Sequence, residues 1–375
     1  MRKDYALESL RGIASVGVLF WHSLLAFFPG RTGILIASDH AWNTQFWFGM
    51  VNGPGWVTFF FVLSGFVLTR RCLLDSDAVP VVRNALKRWP RLAGPVLLAV
   101  LGSWVLYRFA LYRFPQAGVL AGSPWLQTGG GMGAPRLPNI WEAVRQGVYL
   151  TFLRGDISYD SSLWTMRIEF VGSFIAFGLA LLLLGVRGRA ARLYVLSAVV
   201  LVCHFANPLY VAFPVGVALA AFLPRDWRRL WWPVAAVLLA AGLYLLGYTG
   251  VQSGAFRAMG WWWGAGWSVA YANTLGGVLL IVAAESSSKV HAVLSQGWGV
   301  VLGRLSFPLY LVHVPIICSA GSLAYLGLHP DPLLIWPRLF AIVVGAAAAV
   351  CAAFPLMWAS EAWVRILARL TATAR

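Results

Sequence analysis

The stretch Leu7–Phe28 reads LESLRGIASVGVLFWHSLLAFF and is long and apolar enough to cross a bilayer. It nevertheless carries Glu8, Arg11 and His22. A charged side chain near the centre of a spanning helix costs about 2.5–3.5 kcal/mol on insertion scales, so its presence indicates a functional role. Arg11 and His22 are close to three helical turns apart, which puts them on one helix face, separated by about 16 Å along the axis. We expect the rest of the chain to be organised around this face.

The whole chain has the composition of a polytopic membrane protein. Of its 375 residues 60% are hydrophobic and only 11% charged, and the mean hydropathy is +0.73. Apolar stretches of spanning length recur from end to end, which predicts an all-α helical membrane bundle with about ten transmembrane helices in one domain, 1–375. The predicted spans are 7–28, 54–70, 93–112, 162–185, 192–207, 208–223, 231–248, 262–284, 305–327 and 333–358.

The positive charge of the chain predicts its topology. There are 29 Lys and Arg against 13 Asp and Glu, a net charge of +16. No basic soluble module interleaved with aromatic residues is present, so we expect no nucleic-acid partner. Most Lys and Arg fall in segments on one side of the predicted spans, which favours cytoplasmic N- and C-termini. Arg11 interrupts the first apolar stretch and no small-residue cleavage site follows, so we interpret it as a retained span rather than a signal peptide.

His22 is the first candidate for chemistry. Imidazole gains and loses a proton near neutral pH, which suits a general base that activates a hydroxyl. A lone histidine on an apolar helix is more often a core residue, but Arg11 on the same face favours a catalytic role. Glu8 and Arg11 are i,i+3 neighbours, so simple mutual neutralisation is the alternative for them.

Glu169 is the second candidate. The predicted span 162–185 begins SSLWTMRIEFVGSF and contains Arg167 and Glu169. At i,i+2 these two do not face each other, so each needs a partner on another helix. We expect Glu169 to orient the His22 imidazole. The alternative is a structural interhelical salt bridge of Glu169 with Arg167 or Arg11.

Two more spans carry polar residues. In SFPLYLVHVPI, Tyr310 and His313 are one turn apart and form a polar strip with Ser306. This strip either lines a pathway or bonds to another helix. In FFFVLSGFVLTRR, Ser64 and Gly65 interrupt an aromatic stretch, and close helix packing is more probable there than a nucleophilic serine.

Two stretches outside the spans have distinctive compositions. Arg83–Arg91, RNALKRWPR, is predicted as a short basic amphipathic segment. It either lies on the membrane surface or holds a polyphosphorylated ligand, because arginine forks match phosphate oxygens. In the predicted outer stretch 113–161, Thr128–Pro135 reads TGGGMGAP. It lacks the Lys-Ser/Thr of a phosphate-binding loop, so we interpret it as a flexible loop.

Cysteine and the remaining histidines suggest no metal. The four cysteines have no CxxC spacing and are interpreted as small core residues. His40, His204, His291 and His329 show no metal-ligand spacing. We therefore predict no metal site.

Five elements in order resemble the integral-membrane acyltransferase type 3 family. They are Arg11 followed after ten residues by His22, then FFFVLSGF, RNALKRWPR, LWTMRIEF and SFPLYLVH. LWTMRIEF is similar to the family's Leu-Trp-Ser-x-x-x-Glu element, with Thr165 in place of serine, Arg167 as an additional charge and no second Glu. The early acidic position, often Asp in the family, is Glu8 here.

The resemblance implies transfer of an acyl group, usually acetyl from acetyl-CoA, to a carbohydrate hydroxyl. Acetyl-CoA would be a co-substrate, with no tightly bound cofactor; the bilayer and a glycan such as exopolysaccharide, O-antigen or a lipid-linked saccharide would be the other partners. Direct transfer and an acyl-enzyme relay both stay open. The predicted catalytic residues are His22, Arg11 and Glu169. The residues predicted to bind the coenzyme phosphates are Arg70, Arg71, Arg83, Lys87, Arg88 and Arg91. The residues predicted to bind the substrate are Glu8, Ser64, Trp164, Tyr310 and His313.

Two other classes of function are weighed against the enzyme. A proton-coupled transporter or flippase would also use intramembrane Arg, Glu and His, but no inverted repeat is visible. A membrane scaffold would leave three costly polar sites unexplained. Arg greatly outnumbers Lys, which is typical of a GC-rich genome, so we expect a multi-pass protein of a bacterial inner membrane. The sequence gives no basis for predicting the oligomeric state.

Overall fold

The chain is all-α. The computed structural model describes residues 4–38, 40–133, 139–225, 227–259, 267–328, 331 and 334–370. Within these ranges the regular structure is helical, and the only β-type pairing is an isolated bridge between Arg229 and Ser287. The predicted fold class is therefore confirmed.

Each of the ten predicted spans coincides with a helix. Eight of the described helices are long and apolar enough to cross a membrane, while Pro208–Phe222 and Trp232–Leu246 are apolar but shorter. His329 and the beginning of the predicted span 262–284 lie outside the described residues. We number the helices α1 Tyr5–Phe27, α2 Gly53–Asp75, α3 Val79–Arg108, α4 Trp164–Gly185, α5 Arg189–Ala206, α6 Ala212–Phe222, α7 Trp232–Leu246, α8 Trp267–Ser286, α9 Gly297–Ile316 and α10 Trp336–Leu370.

Local signals explain where several helices begin and end. Asp4 caps α1, because its Oδ1 accepts hydrogen bonds from the backbone N–H groups of Ala6 at 3.0 Å and Leu7 at 3.3 Å. Asn207 separates α5 from the 3-10 turn Pro208–Val211, and its side chain accepts from Leu209 N at 3.0 Å. The boundary between the predicted spans 192–207 and 208–223 thus coincides with the end of α5.

The basic segment Arg83–Arg91 is not a separate surface helix. It forms the first part of α3, a continuous 30-residue helix that contains Pro90 and Pro95. The sequence suggested a boundary because the segment is polar and precedes the apolar stretch. A polar half and an apolar half can share one helix, since α-helical hydrogen bonding is local and independent of polarity.

The chain forms two compact units, each assembled from separate segments. The first consists of Met1–Ala14, Thr44–Arg88 and Ile168–Gly303, and the second of Ser15–Asn43, Trp89–Arg167 and Arg304–Arg375. The division falls within α1, α3, α4 and α9. The prediction of one domain over 1–375 and that of cytoplasmic termini stay predictions.

In the first unit, α2 packs against α6 and α8. Small residues allow this close approach. A Cβ on Gly65 would clash with the carbonyl of Phe213, and one on Gly216 would clash with the carbonyl of Val62. The close packing predicted at Ser64-Gly65 is therefore confirmed for Gly65.

In the second unit, α9 continues through a π-helical turn, Ile317–Gly321, into the short helix Ser322–Gly327, and α10 packs against both. Tyr325 of the short helix lies against Phe27 at the end of α1, with ring centroids 5.5 Å apart. Two further short helices, Phe114–Ala121 and Pro124–Gln127, pack on each other. They attach to α1 where Ser123 Oγ donates to the carbonyl of Leu25 at 2.6 Å.

Candidate active site: a histidine pair and a buried arginine–glutamate pair

His22 pairs with the other candidate histidine, His313. Both belong to the second unit. His22 is partly buried in α1 and His313 is buried in α9. His313 Nε2 lies 2.9 Å from His22 Nδ1, and the ring centroids are 4.8 Å apart. The sequence singled out each histidine separately, and the structure brings them together.

Backbone carbonyls determine which ring nitrogens carry protons. His313 Nδ1 lies 2.7 Å from the carbonyl of Tyr310, so Nδ1 carries the proton and Nε2 is the acceptor. His22 Nδ1 then faces two acceptors, His313 Nε2 and the carbonyl of Val18 at 3.0 Å. We therefore assign the proton of His22 to Nδ1 from its hydrogen-bond partners. This leaves His22 Nε2 with a lone pair that can accept a proton from a substrate.

Tyr310 fixes α9 beside the beginning of α4. Its hydroxyl lies 2.7 Å from Thr165 Oγ1 and donates to the carbonyl of Ser162 at 3.0 Å. Thr165 stands where the family has serine, and it preserves the hydroxyl that meets Tyr310. Tyr310 thereby holds the turn of α9 that carries the carbonyl acceptor of His313.

Trp125 lies against the His22 imidazole, and sequence reasoning did not single it out. The ring centroids are 5.3 Å apart and the planes are inclined by 37°. Trp125 belongs to the short helix Pro124–Gln127, which ends in a turn with positive φ at Gly129, Gly130 and Gly131. The described part of TGGGMGAP, up to Gly133, therefore forms a defined turn, and the flexibility expected of this loop stays a prediction. The only available sequence signal was a tryptophan next to a glycine cluster.

Glu169 forms a buried ion pair with Arg88 in the first unit. Glu169 Oε1 also accepts from Ser64 Oγ at 2.6 Å, and Arg88 Nε donates to Ser173 Oγ at 2.8 Å. The hydrogen bonds of the Glu169 carboxylate are thus with Arg88 and Ser64, neither of which was a predicted partner. The expectation that Glu169 needs a partner on another helix is confirmed, but the partner itself was missed because α3, which carries Arg88, was not recognised as a neighbour of α4.

Arg11 pairs with Glu8, as the simpler interpretation of that spacing suggested. Arg11 Nη1 lies 3.2 Å from Glu8 Oε1. The Arg11 side chain keeps 37% of its surface exposed, so the pair does not bury the guanidinium. The catalytic role predicted for Arg11 and the substrate role predicted for Glu8 stay predictions.

The basic residues expected to bind phosphate separate into two groups. Arg70 and Arg88 are buried, and Arg70 donates to the carbonyls of Ala220, Leu223 and Pro224 at 2.6–3.1 Å. Such contacts are typical of a structural arginine, and the coenzyme role predicted for Arg70 and Arg88 stays a prediction. Arg71 is exposed and lies 3.6 Å from Asp75.

The second group lies along one stripe of α3. Arg83, Lys87 and Arg91 follow one another at intervals of four residues, which places them on neighbouring turns of the helix. Arg83 and Arg91 are exposed, and Lys87 is partly exposed. This stripe is the part of the basic segment that stays accessible.

Two other residues of the LWTMRIEF element face outward. Trp164, predicted to contact substrate, is 40% exposed, and Arg167 is exposed.

Of the histidines outside the predicted site, His40 is exposed. His204 is hydrogen bonded to Tyr271.

His291 lies in a cluster that the sequence did not indicate. The ligand-type atoms of His291, Asp4 and Glu285 lie within 4.8 Å of one another. Arg228 Nη2 donates to His291 Nε2 at 2.9 Å, so a positive charge already accompanies the two carboxylates. The prediction of no metal stays a prediction.

The apolar helices together define an integral, multi-pass membrane protein. A family model described as Acyltransferase domain matches residues 4–358. The chain therefore belongs to the integral-membrane acyltransferase type 3 family, as the five ordered elements predicted. It is similar to the protein named O-acetyltransferase PaAT-1 of Phomopsis amygdali, with 22% identity over 377 residues that cover 84% of this chain and 72% of the relative. No solved structure matches the chain.

Proposed function

We propose that this membrane acyltransferase moves an acetyl group from acetyl-CoA to a hydroxyl of a carbohydrate, with His22 as the general base. The observation that carries the proposal is the histidine pair. His22 Nδ1 is hydrogen bonded to His313 Nε2 and to the carbonyl of Val18, which leaves His22 Nε2 as a proton acceptor. The name of the relative, an O-acetyltransferase, supports acetyl as the acyl group and oxygen as the acceptor atom.

The proposed reaction conserves atoms and protons. His22 Nε2 takes the proton of the acceptor hydroxyl while the hydroxyl oxygen attacks the thioester carbonyl carbon. The carbon–sulfur bond then breaks, and the sulfur takes the proton from the His22 imidazolium. The products are the acetyl ester of the carbohydrate and free coenzyme A. His313 acts as a positioning residue, because it holds the Nδ1–H tautomer of His22.

Glu169 has a different proposed role from the one that the sequence suggested. Its ion pair with Arg88 and its hydrogen bond with Ser64 support a role in joining α2, α3 and α4 within the first unit. Arg11, with its partly exposed guanidinium, is proposed to stabilise negative charge on the donor.

The exposed stripe of α3 is proposed to bind the phosphates of coenzyme A. Arg83, Lys87 and Arg91 are accessible, whereas Arg70 and Arg88 are buried in contacts with the protein. Replacing the three stripe residues with glutamine is expected to raise KM for acetyl-CoA about 10-fold with a small change in kcat, because an exposed charge pair contributes about 0.2–1 kcal/mol and three together reach about 1.4 kcal/mol. Arg154→Gln, an exposed arginine outside the stripe, is the matched control.

Radiolabelled acetyl-CoA tests the proposed reaction directly. Purified protein in lipid nanodiscs is incubated with labelled acetyl-CoA and a panel of methyl glycosides, and released thiol and labelled glycoside are measured together. We expect both products to form in equal amounts, and His22→Ala to reduce both by about 10²–10⁴-fold. His40→Ala, which removes an exposed histidine, is expected to keep the wild-type rate.

The transporter alternative predicts a different result. In sealed proteoliposomes a carrier would take up labelled solute without releasing thiol. Full transfer activity of His22→Ala protein that is correctly inserted in membranes would contradict the proposed role of His22.

A further inference from the structure

We propose that Trp125 and Ser161 form the binding surface for the sugar ring of the acceptor, beside His22. This inference rests on the proposed function, because it assigns the acceptor subsite of the same reaction. Trp125, Ser161 and His22 all belong to the second unit.

The first argument is the position of the Trp125 indole. Its ring centroid lies 5.3 Å from that of the His22 imidazole, and the indole is only partly buried. An aromatic ring offers a flat apolar face on which the C–H groups of a pyranose ring can pack. A sugar packed on Trp125 would hold its hydroxyls within the immediate surroundings of the proposed base.

The second argument is that two polar groups at this place have no hydrogen-bond partner among the described residues. They are the indole N–H of Trp125 and the hydroxyl of Ser161, and Ser161 is only 6% exposed. Both groups flank Gly130, since a Cβ on Gly130 would lie 2.6 Å from Trp125 Nε1 and 2.6 Å from Ser161 Oγ. A carbohydrate hydroxyl both donates and accepts, so it can satisfy both groups.

The third argument is that the local backbone is built to hold this arrangement. Gly130 has φ of +70°, and its N–H donates to the carbonyl of Trp125 at 2.8 Å. Any side chain on Gly130 would be strained and would enter the space between Trp125 and Ser161. Ser123 fixes the other end of the short helix, because its Oγ accepts from Leu126 N at 3.1 Å and donates to the carbonyl of Leu25 in α1. Trp125 is therefore held on a rigid support next to His22.

A comparison of two pyranosides with an acyclic alcohol tests the inference. The probes are methyl β-D-glucopyranoside and methyl β-D-galactopyranoside, which have a ring to pack on the indole, and 1-propanol, which does not. For Trp125→Ala we expect KM for the pyranoside used by the wild type to rise about 10-fold, with transfer to 1-propanol and KM for acetyl-CoA changed by less than about 2-fold. For Trp125→Phe, which keeps a flat ring, we expect KM within about 3-fold of the wild type. For Ser161→Ala we expect a rise in pyranoside KM alone.

Trp141→Ala is the matched control, because Trp141 is 72% exposed in the same outer stretch and has no part in the site. If Trp125→Ala lowers kcat equally for the pyranoside and 1-propanol with both KM values unchanged, Trp125 only positions His22 and the inference is overturned. If the wild type transfers acetyl to none of the three acceptors, the proposed function itself fails. If Trp125→Ala does not purify as a monodisperse protein, Trp125→Phe and Ser161→Ala decide, and unchanged pyranoside preference in both overturns the inference.

Discussion

At the scale of single residues, His22 divides its two nitrogens between the protein and the proposed substrate. Nδ1 is held by the carbonyl of Val18 and by His313 Nε2, and His313 is in turn held by the carbonyl of Tyr310. In many catalytic histidines a carboxylate holds the inner nitrogen, whereas here a neutral imidazole does so. The inner acceptor therefore carries no charge, and its proposed contribution is to orient His22.

His313 should therefore be replaceable in part by another neutral acceptor. His313→Ala is expected to lower kcat about 10²-fold, because His22 loses its orienting partner. His313→Gln is expected to keep more activity, since its amide oxygen can accept from His22 Nδ1. Initial rates of coenzyme A release measure both variants. Equal activity of His313→Ala and the wild type would contradict the assigned hydrogen-bond chain.

Asp160, one residue before the span Ser161–Gly185, gives a prediction about pH and stability. Its Oδ1 accepts from Ser162 N at 2.9 Å, while Oδ2 is buried with no hydrogen-bond partner among the described residues. Burial raises the pKa of the Asp160 carboxyl to about 7. Because the unfolded carboxyl has a pKa near 3.9, the folded protein holds this proton more tightly, and the free energy of unfolding decreases as pH rises from about 4 to about 7.

The decrease amounts to at most about 4 kcal/mol, from the conversion of 1.36 kcal/mol per pKa unit. Asp160→Asn is expected to remove this part of the pH dependence and keep the helix cap, since asparagine caps as well as aspartate. Melting temperatures of the purified protein between pH 5 and 8 measure the effect. The prediction fails if both proteins lose stability equally as pH rises.

At the scale of elements, glycines at the contact between α2 and α6 let the two helix backbones approach each other closely. Gly65 and Gly216 stand where each backbone meets the facing helix. In a bilayer, such close contacts replace the hydrophobic effect as a source of helix association. Glu169 and Arg88 add a polar contact between α4 and α3 in the same unit.

Gly65→Ala is expected to destabilise the protein by about 1–3 kcal/mol, because its methyl group would meet the Phe213 carbonyl and force the helices apart. Gly178→Ala is the matched control: Gly178 lies within α4, and nothing lies within 4 Å of a Cβ there. That control is expected to be neutral or slightly stabilising. Fluorescence-detected size-exclusion chromatography after heating compares the two, and equal melting temperatures would contradict the packing argument.

Hydrophobicity alone predicted the positions of the helices but not their partners. All ten spans coincide with helices because apolar length is a local property of the chain. The pairing of His22 with His313, and of Glu169 with Arg88, depends on which helices are neighbours, which periodicity does not contain. Trp125 was missed for a related reason: a glycine-rich segment was interpreted as flexible, whereas consecutive positive-φ glycines here form one defined turn.

At the scale of the whole molecule, the distribution of basic residues predicts one orientation in the membrane. With a net charge of +16, the excess of Lys and Arg must lie outside the bilayer core, and cytoplasmic segments collect it. The exposed stripe Arg83, Lys87 and Arg91 lies in the segment predicted to be cytoplasmic, the side on which coenzyme A is found.

Topology reporters at the C-terminus and within the stretch 113–161 test this orientation. Green fluorescent protein is active only in the cytoplasm and alkaline phosphatase only outside it, so fusions after residue 375 are expected to fluoresce and to lack phosphatase activity. A fusion within the stretch 113–161 should behave in the opposite way. Phosphatase activity at the C-terminus would invert the predicted topology and would remove the stripe on α3 from the cytoplasm.

The π-helical turn Ile317–Gly321 determines which way the side chains of the following short helix, Ser322–Gly327, point. A π turn accommodates an additional residue, so the helix that follows is rotated by about 100° relative to an uninterrupted α-helix. Before the turn His313 meets His22, and after it Tyr325 packs on Phe27, so both contacts reach the same helix α1. Deleting a single residue from Ile317–Gly321 would restore regular winding and put one contact out of phase with the other. The extra residue therefore rotates the end of the span so that His313 and Tyr325 both face α1.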